Sequence, residues 1–531
     1  VIAPQFTGRI SPSTELVTRY HYYVNKAYRE PALILDSSVT QRGQEPILGP
    51  EFSYKGLNGM PKWSELWFSA HNVQFQLSHT FNEHLTARFA GVFRRFDESF
   101  LSPSARMANR YNPYTGAATP EQTWALKDPS LRHDALLNPY IPTDSPYYDP
   151  TAIPLIGQRI IEFWNENYEL QNDWVLKYDF PYVSLQSVAG IAYSHSLAVD
   201  KRVHGSISPI NLFDLANYDD TPTWDTALAR SLRTEGTNWQ IYINQRLSFW
   251  KNRIALTGGC LKYNTETRSI DKATANLEDV LDASKDLYVA SALVRITPSA
   301  SFYYSYSINA SPFAANFQVL WREGKQHEWG AKMEFFNRRL AVNLSYFKIS
   351  LTNGEIWNLE YAAGDLTQPG AFVMDFNNHG TEFEVSGALT KNLSILGSFT
   401  SLSMRAPYGR YVNSISERLL SVLLNYRFHE GSLKGLGVSA GFHYVGEMAG
   451  DTPQVDFTPL GILTQNSYFI PSHTTWNAGA TYAWDCYELR LIVDNLTDDK
   501  NYIAGAGGRF SQHGLAVATG RNIRLAATVK F

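Results

Sequence analysis

Across residues 520–531 apolar and polar positions alternate with a period of two. Ile523, Leu525, Ala527, Val529 and Phe531 share one parity; Asn522, Arg524, Ala526, Thr528 and Lys530 share the other. That pattern predicts a strand with one apolar and one mostly polar face. It recurs upstream, where His327, Trp329, Ala331, Met333 and Phe335 oppose Glu328, Gly330, Lys332 and Glu334. Phe383, Val385 and Leu389 likewise oppose Glu382, Glu384 and Ser386, and Tyr487, Leu489, Leu491 and Val493 oppose Glu488, Arg490 and Asp494. A soluble sandwich would also alternate, so length decides. The runs at 183–203, 339–357 and 436–451 far exceed the roughly 5 to 6 residues of ordinary strands.

Connections alternate as well. Short turns at 11–14, 82–84, 181–182, 250–252 and 337–338 are interleaved with long loops at 101–154, 205–230, 270–285, 359–378, 452–469 and 504–519. Short turns on one side and long loops on the other predict an all-β fold, a transmembrane antiparallel β-barrel whose short-turn side is periplasmic. Aromatic residues near strand ends, among them Tyr20, Tyr22, Tyr23, Phe302, Tyr303 and Tyr304, are expected in the interfacial girdles. The runs add up to about nine hairpins and a final strand, roughly nineteen strands where a bacterial barrel has an even number. The strand at 3–11 enters a short turn and the last strand ends on that same side. An odd number of strands is therefore expected before Val1.

Composition agrees. Of 531 residues, 14% are aromatic and 18% charged, and no apolar run approaches the roughly 20 residues of a spanning helix. A spanning strand needs only every second residue apolar. The net charge of −4 comes from 46 basic and 50 acidic residues spread along the chain, which leaves no electrostatic footprint for nucleic acid. Cys260 and Cys486 are too few for a disulfide framework and lack metal or redox spacing. Cys260 shares the parity of Ile254, Leu256 and Gly258, as a small lipid-facing residue would. Residues 1–10 show no signal-peptide pattern.

Several segments carry a family resemblance. The stretch 304–311 (YSYSINAS) followed by 323–353 (EGKQHEWGAKMEFFNRRLAVNLSYFKISLTN) contains Gly-Lys-Gln-x-Glu-x-Gly-x-Lys, a short turn and Leu-Ser-Tyr-Phe. Residues 380–401 follow as a hairpin, 433–451 (LKGLGVSAGFHYVGEMAGD) as a Gly-Leu-Gly and Tyr-Val-Gly strand, and 491–502 (LIVDNLTDDKNY) as Asn-Leu-x-Asp-x-x-Tyr. Together these resemble the barrel of TonB-dependent outer-membrane receptors, above all those for ferric siderophores. The resemblance implies a barrel of about 22 strands filled by a plug, with residues 1–531 lacking the plug and the first strands. It also implies a location in the Gram-negative outer membrane. The partners implied are TonB with its inner-membrane energising complex, outer-membrane lipid and the barrel-assembly machinery, for which a terminal aromatic such as Phe531 is the recognition signal.

No phosphate loop, zinc spacing or nucleophile elbow is present, and 505–508 (GAGG) lacks the strand-to-helix context of a dinucleotide site. No enzyme is expected, and no cofactor beyond Fe3+ carried by the ligand. Siderophores offer oxygen acceptors and apolar or aromatic rims, so a pocket of aromatic side chains and a few donors is the chemistry to seek. Candidates are Arg106, Arg110, Tyr111, Tyr114, Trp124, Tyr140, Tyr147 and Tyr148 in the longest loop. Others are Trp224, Tyr361, Arg405, Tyr408, Arg410, Tyr411, Arg509 and Phe510. Packing of loop against loop is the competing role for each. Inward residues such as Glu328, Glu382, Glu384, Arg524 and Lys530 are expected to bond the plug or line a wet lumen. Rival functions are a receptor for cobalamin or an oligosaccharide, a passive porin, and an adhesin.

Overall fold

The computed structural model describes residues 1–28, 33–34, 65–105, 153–210, 223–273, 277–315, 318–357, 371–406, 410–412, 414–450, 469–505 and 514–529. Nineteen strands run in sequence as β1 (Gln5–Ser11), β2 (Thr14–Tyr28), β3 (Glu65–Thr80), β4 (Leu85–Ala105), β5 (Ile153–Asp179), β6 (Val183–Ile210), β7 (Arg230–Phe249), β8 (Ile254–Asp271), β9 (Leu277–Thr297) and β10 (Ala300–Ala315). They continue as β11 (Gln318–Phe335), β12 (Leu340–Trp357), β13 (Ala371–Ala388), β14 (Leu393–Ala406), β15 (Arg418–Arg427), β16 (Leu436–Val445), β17 (His473–Trp484), β18 (Tyr487–Asp494) and β19 (Asn522–Val529). Each pairs antiparallel with the next, and with the two-residue strands Thr223–Trp224 and Arg410–Tyr411 they make one 21-stranded sheet. Counting directions along this meander, β1 and β19 both run towards the short-turn side.

Burial is inverted relative to a soluble protein. Ile241 is 58% exposed and Leu525 74% exposed, which is stable only where the exposed face meets hydrocarbon. Exposed aromatics bound that band. Phe180, Trp250, Phe336 and Trp484 lie at the short turns, and Tyr168, Trp239, Trp329 and Trp476 lie higher. Trp239 stands eleven positions from Trp250 and Trp329 seven from Phe336. At about 3.3 Å per residue and a tilt of ~40° those spacings bracket the roughly 25 Å apolar band of an outer-membrane barrel. Cys260 pairs opposite Tyr288 and Ile243 and is exposed with them on this outer face.

Period two also corrects an expectation. Consecutive residues cannot share a face, so Tyr20 and Tyr22 face outward opposite Val73 and His71, while Tyr23 turns inward against Phe68. Phe302 and Tyr304 face outward, whereas Tyr303 points into the lumen and its hydroxyl donates to Glu328 at 2.5 Å. The Gly-Lys-Gln-x-Glu-x-Gly-x-Lys stretch thereby gains a physical reason. Its even positions line the lumen, Gln326 donates to Glu328 at 2.9 Å, and a Cβ at Gly330 would overlap the Tyr303 ring. Lys332 sits 5.2 Å from the same ring. In the Asn-Leu-x-Asp-x-x-Tyr segment, Asn495 is left-handed (φ 50°). Its amide donates to Asp499 O at 3.0 Å and its Oδ1 accepts from Asp499 N at 3.0 Å. Asp498 Oδ1 accepts from Arg521 N at 2.9 Å, fixing the entry to β19.

Several expected loop ends move. Residues 270–285 are mostly strand, because β8 runs to Asp271 and β9 begins at Leu277. β4 and β5 extend to Ala105 and from Ile153, β6 reaches Ile210, and β13 starts at Ala371. β16 instead stops at Val445, before the short strand Met448–Ala449. Above the membrane both faces of a strand are wet, so apolar alternation fades while the ladder continues.

Candidate ligand site at the extracellular mouth

The inner wall carries polar networks. On the lumen face of β4, β5 and β7, Asp173 is 2% exposed and accepts from Arg88 Nε at 2.7 Å, Gln171 at 3.0 Å and the Tyr242 hydroxyl. Further round, Arg524 pairs with Asp494 at 2.7 Å and Asn343 donates to Glu384 at 3.3 Å. Of the Asp173 partners, Arg88 comes from the adjacent β4, Gln171 from β5 itself, and Tyr242 reaches from β7 across Gly190 of β6.

At the outer rim, the four described candidates, Trp224, Arg405, Arg410 and Tyr411, separate by role. Trp224 lies in a short strand opposite Gly205 of β6, and a Cβ at Gly205 would meet its ring at 2.6 Å. Its indole rests on the wall, as a packing residue does. Arg410 and Tyr411 fold back to pair with Ala406 and Arg405. The Arg405 guanidinium lies 4.0 Å from the Tyr411 ring centroid and 2.5 Å from Glu417 Oε1, and Phe469 meets Tyr411 edge-on at 5.6 Å. Beneath them Ala449 and Ile470 are fully buried, and the Ser416 hydroxyl binds the carbonyls of Arg418 and Gly446, both at 2.9 Å. This corner is preorganised: a cation and a phenol ring are held in place before any ligand arrives. Arg106, Arg110, Tyr111, Tyr114, Trp124, Tyr140, Tyr147, Tyr148, Tyr361, Tyr408, Arg509 and Phe510 lie outside the described residues, as do Lys530 and Phe531.

Two further clusters were not legible as sites in the sequence. Asp200, on the inner face of β6, accepts from Arg202 Nε at 2.6 Å and pairs with Arg230 at 3.2 Å. On β11, Glu323 pairs with Lys325 at 2.9 Å and with Lys285 of β9. Lys285 sits 5.4 Å from the Trp321 ring, which Tyr263 meets edge-on at 6.3 Å. Glu323 stands thirteen positions from the turn at Phe336, above the apolar band. Hydrogen bonds from Lys285 and then Lys325 hold its carboxyl below the usual carboxylate range. The only sequence hint was the Trp321, Glu323, Lys325 spacing, which puts all three on one face. Among the described residues no group of three or more side chains is arranged to hold a metal ion. A rim of cations beside aromatic rings suits an anionic ligand rich in oxygen and aromatic surface.

The chain belongs to the TonB-dependent receptor family: the family model described as "TonB dependent receptor-like, beta-barrel" matches residues 8–496. Among curated relatives, the metal-pseudopaline receptor CntO of Pseudomonas aeruginosa is 25% identical over 557 residues, covering 100% of this chain and 68% of its own length. The ferrichrome outer membrane transporter/phage receptor of Escherichia coli is 22% identical over 353 residues, covering 61% of this chain and 43% of its own. The same fold is found in the ferric-catecholate import receptor Fiu of E. coli, with TM-score 0.73 at 14% identity over 100% of this chain and 74% of that one. It is found too in the pyoverdine receptor FpvA of P. aeruginosa bound to pyoverdine, with TM-score 0.74 at 17% identity over 100% of this chain and 70% of that one. Strand architecture, the polar lumen and membership of a transport receptor family agree with the sequence reading.

Proposed function

We propose that this protein is an active-transport receptor of a Gram-negative outer membrane that binds a ferric siderophore outside the cell and imports it with energy transduced by TonB. The observation that carries the ligand class is the preorganised rim, where Arg405 stacks on Tyr411, Lys285 lies over the Trp321 ring, and Lys285 and Lys325 flank Glu323. Chelates with anionic oxygens and aromatic edges match it. The relatives named for metal chelates support the same class. A metal–chelator complex other than a ferric siderophore is the second reading, supported by the metal-pseudopaline receptor matching the whole of this chain.

Phe531 acts as the assembly signal, and the exposed apolar band meets lipid.

The test is uptake of radiolabelled iron by cells expressing the full-length receptor, supplied in turn with hydroxamate, catecholate and mixed-chelate siderophores, with TonB present or deleted. TonB-dependent uptake of one class is expected. Uptake that persists without TonB, or ion conductance by the purified full-length protein, would replace the receptor with a porin.

A further inference from the structure

The nine short turns among the described residues divide by charge. Five consecutive ones, residues 250–253, 298–299, 336–339, 389–392 and 428–435, close the hairpins from β7 to β16. They carry Lys251, Arg253, Arg338, Arg339, Lys391 and Lys434 against one acid, Glu430. The other four, residues 12–13, 81–84, 180–182 and 485–486, hold no Lys or Arg and two acids, Glu83 and Asp485. With histidine neutral, one arc of turns therefore stands at +5 and the other at −2. Arg295 and Arg427, in the strand ends beside the basic turns, extend the first arc.

Backbone bonds hold the basic turns side by side. Arg253 O accepts from Arg295 N at 2.7 Å, and Ser299 O from Glu334 N, Arg339 O from Ala388 N and Asn392 O from Arg427 N, each at 2.8 Å. Every one of these bonds ties the last residue of a turn to the next hairpin, so the arc is continuous along the rim. Neighbouring turns are two strand spacings, roughly 10 Å, apart. That is about one Debye length at physiological salt, so the potentials of adjacent turns add.

Two of the turns share one conformation. Trp250, Lys251 and Asn252 are left-handed (φ 48°, 56° and 65°), and Phe336, Asn337 and Arg338 repeat it (φ 54°, 56° and 65°). Each presents an aromatic ring followed by two cations in the same frame. Trp250 is 64% exposed, Phe336 53% and Leu433 48%. Rings at the edge of the apolar band sit at headgroup level, and five of the six cations lie within three positions of these residues. Among the described residues only Arg338 of the six has an ion-pair partner, Glu334 at 3.1 Å, and both of those side chains are exposed.

We propose that the turns from β7 to β16 form a docking surface for anionic phospholipid of the periplasmic leaflet, with net-negative headgroups held between the cations of neighbouring turns. The short-turn side of such a barrel faces the periplasm. Charge selects the headgroup, since basic clusters beside a membrane surface concentrate anionic lipid. Depth selects lipid over a soluble acidic partner: Trp250 and Phe336 continue the apolar band, so the cations beside them meet headgroups first. The acidic arc repels the same lipid, and the lipid ring around the barrel is polarised. This surface is independent of which ligand the receptor takes.

The test uses the full-length receptor in phosphatidylcholine vesicles, with Cys260→Ser and Cys486→Ser removing the native thiols. A fluorophore is attached at Ser299→Cys, between the two matching turns, or at Ser13→Cys in the acidic arc; both serines are exposed. A small share of nitroxide-labelled phosphatidylglycerol or nitroxide-labelled phosphatidylcholine quenches it. At Ser299→Cys the anionic lipid should quench about fivefold more effectively than the zwitterionic one, and high salt should shrink that preference. At Ser13→Cys no preference for the anionic lipid is expected. Replacing Lys251, Arg253, Arg338 and Arg339 together by Gln should abolish the preference at Ser299→Cys. Equal quenching by the two lipids at Ser299→Cys, or an equal preference at both positions, overturns the proposal without recourse to that variant. A preference that survives the four substitutions in protein with heat-modifiable gel mobility overturns it too. Binding of polyglutamate to the reconstituted receptor without any lipid preference would give the surface to an acidic protein instead.

Discussion

Two tall hairpins rise from this barrel and differ in what flanks them. β5 and β6 stay paired to Ile153↔Ile210, with β4 alongside to Ala105↔Leu155 and β7 to Arg202↔Arg230. β10 and β11 rise without such neighbours, because their lateral ladders end at Ser307 and Glu323. Both hairpins are antiparallel ladders, β5–β6 with two register shifts and β10–β11 with none. Height above the membrane therefore does not set how a part of the rim is held; lateral pairing does. Among the described residues, one hairpin has a strand on each side over most of its height, and the other has one only below Ser307 and Glu323.

The largest effect that would break this comparison is expected at Asp200, which is 6% exposed and neutralises Arg202 and Arg230 at the junction of β6 and β7. Asp200→Ala leaves two cations facing each other and should cost about 3 kcal/mol, read as a lower urea midpoint of the folded gel band. A negligible change would mean that the β5–β6 wall is held by its ladders without this clamp. Next in size is amide exchange. Backbone amides of residues 309–315 and 318–322 should exchange about a hundredfold faster than those of 155–160 and 203–207, since local opening follows the number of cooperating neighbours. Equal protection would erase the distinction between the two hairpins.

The sequence made the membrane-embedded half legible because lipid enforces a strict rule there: outward positions are apolar, and β19, β11, β13 and β18 obey it residue by residue. The turns at 250–252 and 337–338 stood out for the same reason, since each interrupts two such runs. Legibility failed where that rule lapses. Residues 277–286 carry Glu278, Asp279, Asp282, Lys285 and Asp286 on both faces, so β9 resembled a loop. Tyr23 and Tyr303 were assigned to the girdle by residue type, whereas parity sends them into the lumen. For the rim, residue type flagged Arg405 and Tyr411 but could not separate them from Trp224, whose indole packs on Gly205. Lys285 and Glu323 are thirty-eight positions apart, on strands that β10 separates in sequence, and still meet. No local pattern encodes such a contact.

The smallest expected effect sharpens the comparison from the wall side. On the outer face of β5 and β6, Lys201 pairs with Glu162 at 2.6 Å, and the Trp164 indole donates to the same carboxylate at 3.0 Å. Both charged side chains are about 40% exposed, so solvent screens the pair and Lys201→Ala should cost below about 1 kcal/mol. The hydrogen bond from Lys201 is the main reason the Glu162 carboxyl lies below its usual range. A depressed carboxylate stabilises the fold above its unfolded pKa and loses that contribution as pH falls through the folded value. The difference between wild type and Lys201→Ala should therefore be present at neutral pH, shrink in high salt and vanish on acidification below the ordinary carboxylate range. Urea midpoints at neutral and acid pH measure it, and a difference that survives acidification would mean that Lys201 supports the wall through its aliphatic stem and not through its charge.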